Sequence, residues 1–243
     1  LCVKDGNILR PPLFHREAML VKKDGSICIR PVDIRQLGIR INGKEYRHGQ
    51  NAVIYSRPDR NRTPFIGRTA LVITGRSVSA VCADQRIRIP ASGFVLQIAD
   101  GDGIKPGDTV TYCGLEDTTF GIQVGNSIVI DGEKTRSFRS KFYNIRHLQP
   151  VPFPPSLYPP DFRKARAARI ALGADRDGYP MVLWAEGAPK QGYKPGKDSC
   201  GASLSEMADI CSDVGMVNAV NLDGGGSAQI LLNHQRSLLI SDR

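Results

Sequence analysis

Short runs of alternating apolar and polar residues fill the first hundred positions, and turn-forming residues separate them. Three such runs lie at residues 26–30, 37–41 and 70–74. The second run ends at Asn42-Gly43, and an Asn-Gly pair beside an alternating segment is typical of a β-hairpin. The pattern therefore predicts that this half of the chain is rich in β-strands.

The alternation continues to about residue 132. It predicts strands at 109–112 and 123–132, with a turn at Asp131-Gly132. The proline-rich stretch that follows, 148–162, lacks many of the amide donors that regular structure requires. We interpret it as a connector within one domain spanning residues 1–243, because the part after it is too short to bury a good core alone.

The last third of the chain contains the clearest helix signal. Strands are predicted at 169–173 and 181–185, and Ser203 and Glu206 then have capping-box spacing. A helical stripe of apolar residues follows, which Gly215 ends; its members are Leu204, Met207, Ala208, Cys211 and Val214. A further strand at 217–222 leads into a glycine-rich loop. Together these elements predict an α+β fold, a twisted and mainly antiparallel β-sheet with a few packed helices.

Composition narrows the class of protein. The chain has 243 residues, of which 41% are hydrophobic and 23% charged, as in soluble globular proteins. No apolar run is long enough to span a bilayer. The first residues contain neither an initiator Met nor a signal-peptide core, so we expect the chain to begin inside a longer polypeptide. We also expect an extracytoplasmic or cell-envelope location.

Charge and cysteine content leave alternatives open. The net charge of +9 comes mainly from arginines clustered at 57–62, 136–147 and 163–169. These clusters indicate anionic partners, although an ordinary basic surface explains them equally well. Aromatic residues make up only 7%, so no nucleic acid partner is expected.

The six cysteines form no close C-x-x-C pair, which argues against a zinc ribbon. Both disulfides and buried thiols fit their spacing.

The loop Asp223-Gly224-Gly225-Gly226-Ser227 carries the strongest chemical signal. Consecutive glycines can adopt positive φ and let a ligand approach their amides, which can form an anion-binding nest. Asp223 adds a carboxylate and Ser227 a hydroxyl at the same place. A plain flexible turn is the alternative, and the loop lacks the lysine of a P-loop.

Three segments resemble the phosphodiester glycosidase family. Asn221-Leu222-Asp223-Gly224-Gly225-Gly226-Ser227 looks like the family signature. Upstream, Gly201-Ala202-Ser203-Leu204-Ser205-Glu206-Met207-Ala208 resembles its helix start, and Arg169-Ile170-Ala171-Leu172-Gly173 resembles one of its strands. They occur in the family's order. The family's early Asn-Gly-Gly-Phe-Phe motif and its late Asn-x-Pro-Ser and Glu-Arg elements are not found.

The resemblance implies a hydrolase that cleaves the glycosidic bond of a sugar 1-phosphodiester and releases sugar and a phosphomonoester. In that case Arg169 would hold the phosphate, because its guanidinium offers two parallel donors. Asp223 would act as base, nucleophile or metal ligand, and Asn221 with Gly224, Gly225, Gly226 and Ser227 would bind substrate. The sequence requires no cofactor and leaves a divalent cation open. The expected partner is a sugar phosphodiester or a phosphorylated glycan.

Two other functions fit the same features. One is a non-catalytic module of the cell envelope that binds sugar phosphates or acidic polysaccharide with the glycine loop. The other is a structural envelope domain that uses the arginine clusters. Glu206 is interpreted mainly as the capping partner of Ser203, and His48, His147 and His234 mainly as surface or structural histidines rather than catalytic ones.

Overall fold

The structure is a computed structural model that describes residues 1–13, 16–57, 59–99, 101, 103–123, 125–135, 166–189, 194–222, 224–233 and 235–236. The chain divides into two compact units. The first contains Leu1–Lys23 and Pro31–Gln123, and the second contains Asp24–Arg30 and the described residues from 125 onward. The predicted connector at 148–162 lies outside the described residues, and the single-domain interpretation stays a prediction.

The first unit is built from short strands. Their bounds are β1 Cys2–Lys4, β2 Asn7–Arg10, β3 Arg16–Lys22, β4 Ile27–Val32, β5 Gly38–Ile41, β6 Lys44–Arg47, β7 Ala52–Ser56, β8 Arg62–Ile66, β9 Ala70–Thr74, β10 Ser77–Cys82, β11 Gln85–Arg88, β12 Gly93–Ile98, β13 Val110–Cys113 and β14 Thr118–Gln123. Strand β4 crosses the boundary between the units. A 3-10 helix, Ile34–Gln36, precedes β5.

Antiparallel pairing organises these strands into several small sheets. The strand orders are β2-β1-β14-β3, β10-β9-β12-β7, β13-β5-β6 and β11-β8. The predicted hairpin is present between β5 and β6, where Asn42 has φ 49° and Gly43 has φ 78°. Two consecutive positive φ angles are those of a type I′ turn, whose twist matches that of the flanking strands. The strand predictions at 26–30, 37–41, 70–74 and 109–112 are confirmed within two residues.

The second unit carries the motifs. Its elements are β15 Ser127–Ile130, β16 Glu133–Lys134, β17 Arg169–Ala174, β18 Pro180–Ala185, α1 Leu204–Asp213, β19 Asn218–Asn221, β20 Leu231–Leu232 and β21 Gln235–Arg236. Five strands form an antiparallel sheet in the order β16-β15-β19-β17-β18, and β20 pairs with β21. A 3-10 turn, Gly225–Ser227, follows β19.

Helix α1 packs against this sheet through its buried face. Ser203 is its N-cap and forms the predicted capping box with Glu206. The buried stripe consists of Leu204, Met207, Ala208 and Cys211, which join Ala171 and Ala219 of the sheet in one core. Val214, the last member of the predicted stripe, is the C-cap and is 46% exposed. Gly215 ends the helix with φ 90°, as expected for a glycine just beyond a C-cap.

The fold class was predicted only in part. Antiparallel strands dominate, as expected, but they form several sheets rather than one. Among the described residues α1 is the one α-helix, where a few were predicted. The protein is therefore β-rich, and the α+β class fits it loosely. None of the described helices has the length and hydropathy that a membrane crossing would need.

Candidate active site

Arg169 is a buried cation at the start of strand β17. Its side chain is 5% exposed, and its Nε donates a 3.0 Å hydrogen bond to the carbonyl oxygen of Ala202. Ala202 lies just before α1 and pairs with Ala167 through two backbone hydrogen bonds, of 2.9 and 3.3 Å. The segment that enters the helix therefore holds the guanidinium from one side. An arginine buried with fixed donors is preorganised to bind an anion.

Strand pairing places Asn221 beside Arg169. Ala171 is the register partner of Asn221 in the β17–β19 ladder, and Arg169 lies two residues from Ala171 on the same strand. Because side chains alternate along a strand, Arg169 and Asn221 share one face of the sheet as diagonal neighbours. This is the face that α1 covers, since Ala171 belongs to the helix-facing core.

The glycine loop packs directly onto the beginning of β17. The amide of Gly225 donates a 2.9 Å hydrogen bond to the carbonyl of Ala168. A Cβ atom added to Gly224 would lie 2.7 Å from that same oxygen and 3.6 Å from Nη1 of Arg169. A side chain at Gly224 would clash with the backbone, so glycine is required for this close approach. Arg169 and the loop are thus brought together although more than fifty residues separate them.

Asp223 lies outside the described residues. Its two chain neighbours are described, and both contact the strand that starts at Arg169. The amide of Leu222 donates a 2.8 Å hydrogen bond to the carbonyl of Ile170, and Gly224 lies against Arg169 as above. The roles that the family resemblance implies for Asp223 stay predictions.

Asn221 presents an acceptor that the described residues leave unsatisfied. The residue is 7% exposed and ends strand β19. Its Nδ2 donates a 2.5 Å hydrogen bond to the carbonyl of Leu222, while its buried Oδ1 has no partner in the described part of the chain. A buried acceptor without a donor costs about 1–3 kcal/mol, so such atoms merit an explanation. A ligand N–H or O–H would provide the missing donor.

The loop amides are less available than the sequence suggested. Gly225 has φ 61°, as a nest requires, but Gly224 is extended with φ −124°. The amide of Gly225 is bonded to Ala168, and the amide of Ser227 donates to the carbonyl of Gly224 at 3.3 Å. In this conformation these two amides cannot also bind a phosphate. Ser227 is exposed, so its hydroxyl faces solvent at the end of the loop.

A second arginine, Arg166, stabilises the segment that holds Arg169. Its guanidinium forms an ion pair with Glu206 and donates a 3.0 Å hydrogen bond to the carbonyl of Gly201. Glu206 in turn accepts a 2.9 Å hydrogen bond from the amide of Ser203. This bond, with the Ser203 hydroxyl and Arg166 nearby, holds the pKa of Glu206 below its usual range. The capping role predicted for Glu206 is confirmed. Its ion pair with Arg166 could not be predicted from the sequence.

The remaining candidates are the histidines and the possible metal ligands. His48 accepts a 3.0 Å hydrogen bond from the amide of Ile54 through its Nδ1, which is a structural role. His147 and His234 lie outside the described residues. The described part of the chain contains no group of three or more His, Cys, Asp or Glu residues placed to hold a metal ion. All six cysteines are free thiols, and burial raises the pKa of Cys211 to about 12.

Comparison with known proteins settles the family. A family model described as phosphodiester glycosidase matches residues 35–240, which include Arg169, helix α1 and the glycine loop. The chain belongs to the phosphodiester glycosidase family. The family is named for the cleavage of glycosidic bonds beside a phosphodiester.

Two named phosphodiester glycosidases align with a short region of the chain. N-acetylglucosamine-1-phosphodiester alpha-N-acetylglucosaminidase of Mus musculus is 40% identical over 72 residues, which cover 30% of this chain and 12% of that protein. The Homo sapiens enzyme is 42% identical over 67 residues, which cover 28% of this chain and 12% of that enzyme. These alignments thus span about an eighth of the relatives' length.

A solved structure supports the fold of this phosphodiester glycosidase family member. The crystal structure of a hypothetical protein from Synechocystis superposes with a TM-score of 0.54 at 20% sequence identity. The match covers 98% of this chain and 45% of that chain. At this level of identity the similarity concerns the fold alone, so function has to be argued from the site.

Proposed function

We propose that this chain hydrolyses the glycosidic bond of a sugar 1-phosphodiester and releases the free sugar and a phosphomonoester. The observation that carries the proposal is the buried guanidinium of Arg169, fixed by Ala202 and packed against the glycine loop. Family membership supports the reaction class.

Arg169 binds the phosphodiester. The guanidinium is shielded from bulk water, because only 5% of the residue is exposed. Electrostatic attraction is stronger in such surroundings than in water. Its Nε is bonded to Ala202, which fixes the plane of the guanidinium before the substrate arrives. The free-energy cost of orienting the donors is therefore met by folding rather than by binding.

Asp223 acts at the sugar carbon. In the reaction a water oxygen bonds to the anomeric carbon, the bond from that carbon to the phosphate oxygen breaks, and the water proton leaves to a base. A phosphate monoester departs readily as an anion, so the leaving group needs less protonation than in ordinary glycoside cleavage. A carboxylate at the start of the glycine loop can take the proton, attack directly, or hold a metal ion that binds the phosphate.

Asn221 and the loop position the sugar. The unsatisfied Oδ1 of Asn221 accepts a hydrogen bond from a hydroxyl or amide of the sugar. Gly224, Gly225 and Gly226 provide a surface without side chains, and the exposed Ser227 hydroxyl adds a donor at its edge. A sugar that lacked the donor for Asn221 would leave the buried oxygen unsatisfied, which would favour the correct substrate.

The decisive experiment follows two products from a panel of sugar 1-phosphodiesters, with the release of free sugar and of phosphomonoester measured separately. Asp223→Asn should lower turnover by about 100-fold or more while substrate still binds, because the carboxylate acts mainly in the transition state. Asp177→Asn, in an exposed turn of the same unit, is the matched control and should leave turnover unchanged.

Other outcomes identify other functions. Tight binding of the panel with no product from the wild-type chain would favour the non-catalytic binding module. Loss of binding in Asp223→Asn, together with rescue of the wild-type chain by a divalent cation after chelation, would make Asp223 a metal ligand instead. Failure of both turnover and binding across the panel would refute the proposal.

A further inference from the structure

Strands β8 and β11 of the first unit form a two-stranded ribbon with an arginine-rich outer face. In their antiparallel register Arg62 lies opposite Arg88, and Phe65 lies opposite Arg86. All four side chains are exposed, and Phe65 is 62% exposed. The inner residues of the ribbon are buried, and they are Thr63, Ile66 and Ile87. We call the four exposed residues the arginine ribbon.

The charges of the arginine ribbon are not neutralised within the part of the chain that the structure describes. Arg62, Arg86 and Arg88 form no ion pair with any described residue. Like charges directly opposite each other on neighbouring strands destabilise a sheet. Arg88 also acts on the buried Arg57, whose pKa is lowered by burial first and by the charge of Arg88 second. Among the described residues the arginines of the outer face therefore have no ion-pair partner, and a bound anion would neutralise them.

Two more exposed arginines flank strand β8 in the sequence. Arg60 precedes β8 and Arg68 follows it, and both are exposed. Arg60 lies over the ring of Tyr55, with its guanidinium carbon 5.8 Å from the ring centre. The surface therefore contains several guanidinium groups and one exposed phenyl ring, and each guanidinium offers the paired donors that match a phosphate.

We infer that the arginine ribbon is a second binding surface, for a glycan that carries phosphate groups. The arginines bind the phosphates, and the ring of Phe65 packs against the apolar face of one sugar. Single-stranded nucleic acid is a poorer fit, because it requires successive aromatic platforms and this face exposes one aromatic ring. The inference rests on the proposed function only for the choice of a phosphorylated glycan as the anion.

The test compares three forms of the full chain by calorimetric titration with a phosphomannan. They are the Asp223→Asn variant, the same variant with Arg62→Gln and Arg88→Gln, and the same variant with Arg10→Gln and Arg176→Gln. Arg10 and Arg176 are exposed arginines elsewhere, so both double changes remove the same charge. The Asp223→Asn background prevents turnover during the titration.

The ribbon change is expected to weaken phosphomannan binding at least tenfold and to reduce its dependence on salt concentration, while the control change has little effect. Phe65→Ala should weaken binding more for the polymer than for inorganic phosphate. All variants should keep the wild-type melting temperature and, with Asp223 restored, wild-type turnover of a small soluble phosphodiester.

Three results would overturn the inference. They are equal losses in the ribbon and control variants, equal affinity for the mannan after its phosphates are removed, and tighter binding of single-stranded DNA than of phosphomannan. Because binding is measured without turnover, a wild-type chain that binds through the ribbon but hydrolyses nothing would refute the proposed function alone.

Discussion

Among the described residues each unit buries one arginine, and both arginines donate a hydrogen bond from Nε to a backbone carbonyl. Arg57 in the first unit is 7% exposed and donates from Nε to the carbonyl of Ile89 at 3.1 Å. Arg169 in the second unit is 5% exposed and donates from Nε to the carbonyl of Ala202 at 3.0 Å. Judged by burial and by this hydrogen bond alone, the two residues are equivalent.

Arg57 and Arg169 differ in their surroundings. Arg57 also bonds to the side chain of Asn61, and the next cation near it, Arg88, repels it. Arg169 instead packs against the backbone of Gly224, because this glycine has no side chain to separate them. Packing against the glycine loop thus distinguishes Arg169 from Arg57. We expect Arg57 to be structural and Arg169 to be functional.

The largest expected effect comes from exchanging each arginine for lysine. Arg169→Lys keeps the charge and loses the paired donors, so kcat/KM on a sugar 1-phosphodiester should fall about 100-fold or more, with weaker binding. Arg57→Lys should leave kcat/KM per folded molecule unchanged and lower the free energy of unfolding by about 1–3 kcal/mol, because the Ile89 carbonyl loses its donor.

Kinetics and chemical denaturation of both variants check this pair of predictions. Normal substrate binding by Arg169→Lys would remove that residue from the phosphate site. A loss of activity in Arg57→Lys that exceeded its loss of folded protein would mean that the first unit contributes to the reaction.

A smaller effect is expected from adding one methyl group to a glycine in each unit. The Cβ of Gly224→Ala would lie 2.7 Å from the Ala168 carbonyl oxygen, so the loop must move away from Arg169. We expect a loss of about 1–3 kcal/mol in unfolding free energy and reduced turnover. The Cβ of Gly67→Ala would have its nearest neighbour at 3.8 Å, so stability should hardly change. Equal thermal melts for the two variants would show that the glycine loop is not tightly packed.

Local features of both units could be predicted from sequence, because they depend on neighbouring residues. The turn at Asn42-Gly43 requires two positive φ angles, and the capping box at Ser203 and Glu206 spans three positions. The contacts that build the site were not predictable in this way. Arg169 bonds to a carbonyl 33 positions away, and Gly225 bonds to a carbonyl 57 positions away.

Every residue has a backbone carbonyl, so the residue type does not show which carbonyl will accept a hydrogen bond. Such contacts therefore cannot be predicted from the sequence. The anion nest expected at the glycine loop illustrates this. Glycine content predicted free amides, whereas the fold uses the amides of Gly225 and Ser227 for backbone hydrogen bonds. The arginine ribbon also escaped prediction, since Arg62 and Arg88 meet only through strand pairing.

The next smaller effect concerns the N-cap of helix α1, Ser203, which follows the residue whose carbonyl binds Arg169. Ser203→Ala removes the hydroxyl that accepts from the amide of Glu206, so the free energy of unfolding should fall by about 1 kcal/mol. Ligand affinity should change little, because Ser203 caps the helix while the neighbouring Ala202 carbonyl holds Arg169. Unchanged stability with lost affinity would instead assign Ser203 to the site.

The smallest predicted effect isolates the charge of Glu206, for which the first unit offers a natural comparison. There Gln36 closes a capping box by accepting from the amide of Asp33 at 3.1 Å, so a neutral amide can serve in this position. Glu206→Gln should likewise keep the cap and lose only the ionic part of the contacts with Ser203 and Arg166. Both side chains of the Arg166 pair are substantially exposed, and the loss at neutral pH should be about 0.5 kcal/mol.

The lowered pKa of Glu206 determines the pH range in which its charge stabilises the fold. The pKa of Glu206 is lowered in the folded chain, chiefly by the Ser203 amide, so the ionised carboxylate stabilises the fold above its unfolded pKa. That contribution disappears as the pH falls through the lowered value. Melts of wild-type and Glu206→Gln proteins should therefore differ at pH 7 and converge in acid. A difference that persisted unchanged in acid would mean that Glu206 stabilises α1 through its shape rather than its charge, and that the segment holding Arg169 does not depend on the Arg166 ion pair.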